Sequence, residues 1–531
     1  MDGSEESTAR VRQIAADVLG FAELRPAQQE ASAVLASGRD CLAVLPSGAG
    51  KSAIYQVAAI ALGGPAIVVS PLLALQRDQA DALRERGLVA VTVNALSGRP
   101  ARADADALLR SGRPGFIFLG PEQLARDDVR ASLTRAPVRL FAVDEAHCIA
   151  SWGHDFRPDY LRLGGVIDAF RARPAVSALT ATAAPPVRQE IIGRLRLRNT
   201  RQVIRDFDRP EIHLSVRAFH RAHDKEQAVL AAVRDQAGSG LVYTSTRKEA
   251  EDYAALLGVL PYHGGLTRAE RGQAQRAFER GATVVATSAF GMGIDRPDVR
   301  FVVHASVPGS LDEYYQEIGR GGRDGKAAAA ICCYRAEDLG MHRYFAAALP
   351  DEGDLAAVAR AADRPIGRRE LADRTNMPPL RLAELLNLLE AVGAVRLRRQ
   401  VEPGDGPPAP AEAAARAAEL ARHHRSVERS RVEMMRRYAE MTDCRRRFLL
   451  RYFGEAVTDA CHHCDNCDAG RSRPSVPAGA FSPGERVEHH DWGPGLVLAA
   501  EGDRLTVLFD EYGYRELATE VVTRKHLLTP A

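Results

Sequence analysis

The stretch "LPSGAGKSA", Leu45 to Ala53, lies between the apolar run "CLAVLP" (41–46) and the helix-compatible run "AIYQVAAIAL" (53–62). A strand, a loop and a helix in this order present free backbone N–H groups and the positive helix end, where a phosphate binds. The usual phosphate loop, G-x-x-x-x-G-K-[ST], has glycine where this chain has Leu45. Gly48 and Gly50 nevertheless keep the backbone open to a ligand. The candidate phosphate-binding residues are Ser47, Gly48, Gly50, Lys51 and Ser52.

Lys51 and Ser52 are the residues of this loop whose side chains we expect to contact the nucleotide phosphates and the metal. We expect Lys51 to reach the β- and γ-phosphates of ATP and Ser52 to hold Mg²⁺. The only other lysines are Lys225, Lys248, Lys326 and Lys525, and all remaining basic residues are arginine. A lysine kept at 51 fits the compact ammonium that a phosphate loop uses as a point charge. A turn of small residues without a ligand is the alternative for the loop alone.

The second half of the predicted site is a pair of acidic residues, which follows the apolar run in "LFAVDEAH" (140–147). Asp144 comes directly after four apolar residues, so its carboxylate emerges at the carboxyl end of a predicted strand, where Mg²⁺ is expected. Glu145 is then a candidate to orient and deprotonate the attacking water. Two solvated acids at a strand end are the alternative.

From about residue 12 to 340, short apolar runs alternate with amphipathic helical patterns, which predicts βαβ units and parallel sheets. The runs fall into two series, so the sequence predicts two lobes, 12–205 and 206–345. The fold class is therefore α/β.

Several motifs resemble those of RecQ-family DNA helicases. They are "FAELRPAQQE" (21–30), "PSGAGKS" (46–52), "DEAHCIASWGHDFRPDY" (144–160) and "SALTAT" (177–182). The resemblance covers about 20–345 and returns at 444–467. It implies RecA-like lobes, ATP as substrate, and 3′ to 5′ movement on single-stranded DNA with duplex unwinding. It also implies that Phe21 stacks on adenine, Arg25 supports that pocket and Gln28 reads the adenine edge.

The resemblance and the residue types together indicate candidate DNA contacts. Trp152, Phe156 and Arg157 follow the acidic pair, and aromatic rings stack on unpaired bases at roughly 1–3 kcal/mol each. A packed aromatic cluster between the lobes is the alternative, and the two are compatible. Further candidates for strand contact are Thr244 and Arg247 in "YTSTR" and Thr287 in "ATSAFGMGID".

The segment "YYQEIGRGGRDG" (314–325) places Gln316, Arg320 and Arg323 three to four residues apart, so on a helix they share one face. In the family this segment faces ATP across the cleft between the lobes. We expect Arg323, with Arg320 as second choice, to supply positive charge in the transition state when the lobes close. A surface arginine pair is the alternative.

Four of the eight cysteines have metal-ligand spacing. Cys444, Cys461, Cys464 and Cys467 offer four thiolates, the donor set of a closed, structural Zn²⁺ site. The same spacing occurs in RecQ-family zinc domains. A redox C-x-x-C pair is the alternative.

The remaining segments predict three modules. Residues 350–402 have a helix, turn, helix and strand pattern typical of a winged helix, placed before the zinc cysteines and unlike the usual family order. Residues 403–470 predict a helical zinc domain with one long basic helix over 411–454. Residues 479–531 predict a small SH3- or Tudor-like β barrel that could bind a protein partner. The alternative for the winged-helix pattern is a helical packing domain, and the alternative for the β barrel is a stabilising cap.

The composition is that of a soluble multidomain protein, with 46% apolar residues and a net charge of +2. No apolar run approaches the ~20 residues of a membrane span. We therefore expect a cytoplasmic, nucleoid-associated protein that binds single-stranded and forked DNA and no membrane. A translocase that remodels protein–DNA complexes without strand separation, or a winged-helix DNA-binding regulator, is the competing interpretation.

Overall fold

The computed structural model describes residues 3–46, 48–94, 97–149, 158–205, 207–290, 296–345, 349–397, 400–455, 457–472, 481–501, 503–510 and 512–531. In these ranges no helix combines the length and apolarity that a membrane crossing requires.

The first lobe is a seven-stranded sheet in the order β3-β4-β2-β5-β6-β1-β7, and every strand pair is parallel. Its apolar runs are buried on both faces because helices cover each side. The strands are β1 Cys41–Val44, β2 Pro65–Val69, β3 Ala90–Val93, β4 Gly115–Leu119, β5 Leu140–Val143, β6 Ala175–Thr180 and β7 Arg201–Ile204. The helices are α1 Gly3–Asp17, α2 Pro26–Ala36, α3 Lys51–Leu62, α4 Leu73–Glu85, α5 Arg99–Ser111, α6 Asp127–Arg135, α7 Leu163–Asp168 and α8 Pro185–Arg194.

The second lobe is a six-stranded parallel sheet in the order β10-β11-β9-β12-β13-β8. Its strands are β8 Ile212–Ala218, β9 Ser239–Tyr243, β10 Leu260–Tyr262, β11 Val284–Ala286, β12 Val299–His304 and β13 Ala328–Tyr334. Its helices are α9 Ala222–Arg234, α10 Arg247–Leu257, α11 Arg268–Glu279, α12 Leu311–Ile318 and α13 Gly340–Phe345. The predicted α/β class with two parallel-sheet lobes is confirmed.

Three helices and a hairpin follow the second lobe. They are α14 Glu352–Ala361, α15 Arg368–Thr375, α16 Pro379–Ala391, β14 Val395–Leu397 and β15 Val401–Pro403. The hairpin is antiparallel, and Ile366 forms an isolated bridge with Val401. This is the element order of a winged helix.

The helical zinc domain consists of α17 Pro410–Glu440, α18 Arg445–Tyr452 and α19 Asp465–Asp468. The prediction of one helix over 411–454 is wrong, because α17 ends at Glu440 and Cys444 caps a new helix. The Cys444 sulfur accepts the Arg447 N–H at 3.5 Å.

The last module is a five-stranded antiparallel sheet in the order β19-β18-β17-β16-β20. It comprises β16 Arg486–His489, β17 Gly493–Glu501, β18 Arg504–Phe509, β19 Gly513–Ala518, α20 Thr519–Lys525 and β20 Leu528–Pro530. Phe509 is fully buried in its core and Trp492 packs against it, whereas Tyr512 is exposed.

One apolar cluster joins the lobes, the zinc domain and the terminal sheet. It contains Val187 of the first lobe, Tyr315 of the second, Phe453 of α18 and Tyr514 of β19. The terminal sheet is thus packed into the body of the molecule, with Tyr514 stacked on Tyr452 at 4.9 Å between ring centroids.

Candidate active site and metal centre

The phosphate loop connects β1 to α3 as predicted. Gly50 caps α3 with a φ of 69°, and Gly48 has a φ of 78°, both in the left-handed region that glycine adopts without strain. Lys51 Nζ donates to the carbonyls of Leu45 at 3.3 Å and Pro46 at 3.5 Å, so the ammonium lies across the loop. Ser47 lies outside the described residues.

Gln28 anchors this loop. Its side-chain amide donates to the carbonyls of Ala49 at 2.8 Å and Gly50 at 3.0 Å, and its oxygen accepts the Arg25 N–H at 2.9 Å. A Cβ on Gly50 would lie 2.6 Å from the Gln28 amide nitrogen, so this contact also requires glycine at 50. Phe21 is partly buried under the Arg86 guanidinium at 5.3 Å, and the Arg25 side chain is exposed.

Asp144 and Glu145 follow β5 at the edge of the sheet where the phosphate loop lies. The Asp144 N–H donates to Val69 O at 2.8 Å, and the Glu145 N–H donates to the Asp144 carboxylate at 3.0 Å. Glu145 has a φ of 48°, a conformation costing of order 1–3 kcal/mol that is held by its surroundings.

The acidic pair and Lys51 share one electrostatic environment. Burial raises the pKa of Asp144, and the nearby Glu145 carboxylate acts in the same direction while Lys51 opposes it. Burial lowers the pKa of Lys51; the two carboxylates oppose this effect, and the positive charge of Arg323 adds to it. A divalent cation would relieve the repulsion between the two acids, so the donor set fits Mg²⁺ held by Asp144 and Ser52.

His147 is a site residue that we did not single out from the sequence. Its Nδ1 lies 2.8 Å from Thr180 Oγ1 and 3.4 Å from Glu145 Oε2. Thr180 belongs to "SALTAT", so this histidine connects the acidic motif to another of the segments that resemble the RecQ family. The signal was present in the sequence as the fourth letter of "DEAH".

Arg323 of the second lobe lies against the phosphate loop of the first. Its Cδ is 3.4 Å from the position that a Cβ on Gly48 would take. The expectation that Gln316, Arg320 and Arg323 share a helix face is wrong, because α12 ends at Ile318. The glycines of "GRGGRDG" make a turn there instead, with Gly322 at a φ of 63°.

The other two residues predicted for this segment, Arg320 and Gln316, are buried and half-buried. Arg320 is buried near Tyr243, and among the described residues its Nε has no hydrogen-bond partner. Gln316 is half-buried on α12.

The predicted DNA contacts divide into three groups. Trp152, Phe156 and Arg157 lie outside the described residues. Thr244 is buried, and its hydroxyl donates to the carbonyls of Thr246 and Ala286, so it is not presented to a strand. Arg247 is exposed beside Gly264 and Gly265, and Thr287 is half-buried at the end of β11.

The four predicted zinc ligands converge. The sulfurs of Cys444, Cys461, Cys464 and Cys467 all lie within 4.8 Å of one another. Backbone N–H groups of Cys461 and His463 donate to the sulfurs of Cys444 and Cys461 at 3.3 and 3.4 Å. Four soft ligands with no open position fit a structural Zn²⁺ site.

The zinc loop is docked on the edge strand of the second lobe. Cys464 forms an isolated bridge with Leu214 of β8, and the Val216 N–H donates to Asp465 at 2.9 Å. The arginines of α18 point inward, so they are structural and not a basic surface. Arg445, Arg446, Arg447 and Arg451 are all buried.

Two parallel-sheet lobes with a phosphate loop in one and an arginine of the other beside it define the class of two-lobed helicase folds. Residues 25–191 match the family model described as DEAD/DEAH box helicase, and 224–325 match the helicase conserved C-terminal domain. Residues 395–468 match the RecQ zinc-binding model.

Similar proteins name the family. The ATP-dependent DNA helicase RecQ of Bacillus subtilis (strain 168) is 30% identical over 476 residues, covering 88% of this chain and 68% of that protein. The ATP-dependent DNA helicase RecQ of Pasteurella multocida (strain Pm70) is 32% identical over 469 residues, covering 86% of this chain. The chain belongs to the RecQ family. It spans 62% of the length of the Pasteurella relative.

A solved structure supports the fold alone. The crystal structure of the DUF1998 helicase MrfA bound to DNA matches with a TM-score of 0.50 at 17% identity, covering 77% of this chain and 60% of that chain.

Proposed function

We propose that this protein is an ATP-dependent DNA helicase that moves 3′ to 5′ on single-stranded DNA and unwinds duplexes during repair or recombination. The observation that carries the proposal is the contact between lobes: Arg323 of the second lobe lies beside Gly48 in the phosphate loop of the first. A nucleotide bound there is enclosed by both lobes, so its hydrolysis would change the position of one lobe relative to the other. The names of the relatives, which are ATP-dependent DNA helicases, support the same function.

The proposed hydrolysis uses groups of both lobes. Lys51 neutralises the β- and γ-phosphates, and Glu145 orients and deprotonates the attacking water. Mg²⁺, held by Ser52 and Asp144, would neutralise charge that develops on the phosphate oxygens. Arg323 adds positive charge only while the lobes are closed, which ties the chemical step to closure, and Arg320 is the second candidate for this role.

The proposed adenine pocket consists of Phe21, Arg25 and Gln28. Gln28 is already bound to the phosphate loop through Ala49 and Gly50. An adenine edge that competes for its amide would therefore be sensed directly by the loop.

The proposed movement follows from gripping a strand with two lobes. Trp152, Phe156 and Arg157 stack on bases or bind phosphate beside the acidic pair, and Arg247 and Thr287 contact the strand from the second lobe. Backbone contacts carry little sequence information, so we expect salt-sensitive binding without sequence preference. The DNA partner would associate the protein with the nucleoid.

We also propose that the winged-helix-like module contacts the duplex of a fork. Arg162 Nη2, at the end of the turn that follows the predicted aromatic loop, lies 4.0 Å from Glu390 Oε1 of α16. This ion pair supports a position of the module next to the predicted single-strand path. Zn²⁺ held by the four cysteines would stabilise the helical zinc domain. The terminal sheet offers Tyr512 and its outer face to a protein partner.

The test is ATP hydrolysis with and without single-stranded DNA, followed by unwinding of duplexes with 3′ or 5′ tails. We expect stimulation by DNA, unwinding from 3′ tails only, and loss of both activities in the Lys51→Ala control. Hydrolysis that is indifferent to DNA would exclude the motor. Stimulation without unwinding would favour the alternative, a translocase that displaces proteins from DNA.

A further inference from the structure

The seven-residue linker between β7 and β8 is bound on two sides. It runs over 205–211, and its described residues make contacts to the second lobe and to the zinc domain. A linker between moving lobes needs only to span them, so specific contacts along it require an explanation.

Arg209 binds the turn that carries the two candidate arginines. Its Nη1 donates to Gly319 O at 3.1 Å and its Nη2 donates to Gly321 O at 2.8 Å. These two carbonyls flank Arg320 in the chain. The Nε of Arg323 also donates to Gly319 O, at 3.2 Å. One guanidinium therefore holds the backbone from which both arginines extend.

This turn is held by a few backbone hydrogen bonds, among them Gly321 N–H to Ile318 O at 3.0 Å and Gly322 N–H to Val299 O at 2.9 Å, and by the Arg209 guanidinium. It follows the end of α12 at Ile318 and contains Gly319, Gly321, Gly322 and Gly325, the last two with positive φ. Glycine has the largest backbone freedom, so the conformation depends on outside contacts. The planar fork of arginine can bind two acceptors at fixed spacing, which a lysine cannot. Glu211 in turn binds the Arg209 Nε.

The zinc domain fixes the other side of the linker. Glu455 accepts the Phe207 N–H at 2.9 Å, and the Phe207 ring is stacked on Phe453 with 4.8 Å between centroids. Arg446 of α18 binds the Asp208 carboxylate at 2.8 Å. Both residues that precede Arg209 are thus held by the zinc domain.

The same end of α18 is tied to the first lobe. Arg188 of α8 donates from Nη2 to Phe453 O, and from Nε to Ala183 O at 2.8 Å. Ala183 directly follows the "SALTAT" segment. The linker junction is therefore connected through Phe453 and Arg188 to the residue that follows "SALTAT" in the first lobe. It is connected through Arg209 to the arginine turn of the second lobe.

We infer that Arg209 is a positioning residue for the arginine turn, and that the zinc domain acts on hydrolysis by fixing the linker on which Arg209 stands. The inference rests on the proposed ATPase function. Arg209 itself touches no nucleotide in this scheme; it sets where Arg323 and Arg320 lie relative to the phosphate loop. A small displacement is sufficient, because a misplacement of about 1 Å can cost about 100-fold in rate.

The experiment compares full-length Arg209→Gln with Arg209→Lys. Arg173→Gln is the matched control, because Arg173 also binds a carboxylate, Asp40, and a backbone carbonyl, Arg196 O, but all three residues belong to the first lobe. We expect Arg209→Gln to lower kcat for DNA-stimulated hydrolysis about 100-fold with a change in KM for ATP below about 3-fold. Affinity for ADP with aluminium fluoride should fall while affinity for ADP alone stays unchanged. Arg209→Lys should give an intermediate kcat.

The junction with the zinc domain has its own variant. Asp208→Asn weakens the contact to Arg446 and leaves Arg209 in place, so we expect a smaller fall in kcat, about 5- to 10-fold, again with unchanged ADP affinity.

Several outcomes would overturn the inference. These are an unchanged kcat in Arg209→Gln, an equal loss of affinity for ADP and for ADP with aluminium fluoride, or a fall in kcat no larger than that of Arg173→Gln. If Arg209→Gln is misfolded by circular dichroism, Arg209→Lys decides, and wild-type kcat in that variant overturns the inference. A wild-type protein without DNA-stimulated hydrolysis would instead refute the proposed function, which separates the two failures.

Discussion

The helices α15 and α18 are both rich in arginine but lie in opposite environments. Both contain eight residues; α15 has three arginines and α18 has four. All four arginines of α18 are buried, whereas Arg368 and Arg369 of α15 lie on the surface. Arginine content therefore does not identify a nucleic-acid surface in this protein. What the guanidinium groups face decides their function.

Each arginine of α18 binds a group outside its own helix. Arg445 binds Asp465 beside the zinc ligands, Arg446 binds Asp208 in the linker, and Arg447 binds Asp443 and Thr458 O. A helix with this many inward cations is stable only while its partners are in place. In α15 the partners are nearby and weak: Arg374 donates to Ala361 O at 3.2 Å and lies 3.7 Å from Asp363.

Removing zinc should have the largest effect, because it should affect the region around α18 and leave α15 unchanged. The metal-binding free energy of such sites, about 10–16 kcal/mol in small peptides, is folding free energy. We expect chelation to unfold the region around 440–470, to expose α18 to protease and to leave both lobes resistant. Limited proteolysis with mass spectrometry measures this directly. Cys332→Ser, a buried thiol outside the cluster, should keep full zinc content. Zinc-free protein with unchanged protease resistance in 440–470 would contradict the structural role.

Asp443→Ala should have the next largest effect, because it leaves Arg447 buried without its carboxylate. The Arg447 side chain is only 2% exposed. Breaking a buried pair from one side costs about 3–5 kcal/mol. Hydrogen exchange of zinc-domain amides would show the loss, with zinc content measured in parallel because Asp443 also accepts the Cys444 N–H.

Asp363→Ala is the matched control in the winged-helix-like module. Its partner Arg374 is 45% exposed, so the expected cost is below about 1 kcal/mol. Equal exchange rates in the two variants would show that burial does not distinguish the two helices.

The features that the sequence predicted correctly depend on neighbours in the chain. The phosphate loop follows a strand and begins a helix, and an acidic pair follows another buried strand. Parallel strands bring their carboxyl ends to one edge, so a parallel sheet places Lys51 and Asp144 at the same edge. The four zinc cysteines follow the same logic, because three of them lie within seven residues.

The features that the sequence did not predict depend on distant partners. Periodicity extended α12 through Arg323, but the glycines ended it and Arg209 of the linker holds the turn that results. The sequence predicted one long basic helix over 411–454, but the structure has two helices, and partners such as Asp208, more than 200 residues away, bind the arginines of the second one inside the molecule. Thr244 matched a phosphate-binding pattern, yet its hydroxyl donates to Ala286 O. No local pattern encodes these contacts.

The smallest change in stability should come from Arg368→Ala/Arg369→Ala, which removes two surface arginines of α15. Surface substitutions of this kind usually alter the free energy of unfolding by less than about 0.5 kcal/mol. If both arginines bind phosphates of a fork duplex, the slope of log affinity against log salt should fall by about 2. Fluorescence anisotropy over a salt series measures that slope, with single-stranded DNA expected to give no change.

Arg374→Ala is the control for this double variant, because its guanidinium is bound within the module to Ala361 O. It should leave the salt slope for forked DNA unchanged. A double variant that also leaves the slope unchanged would mean that the winged-helix-like module is a packing domain. In that case α15 and α18 would differ only in burial, since the exposed arginines would then have no more contact with DNA than the buried ones.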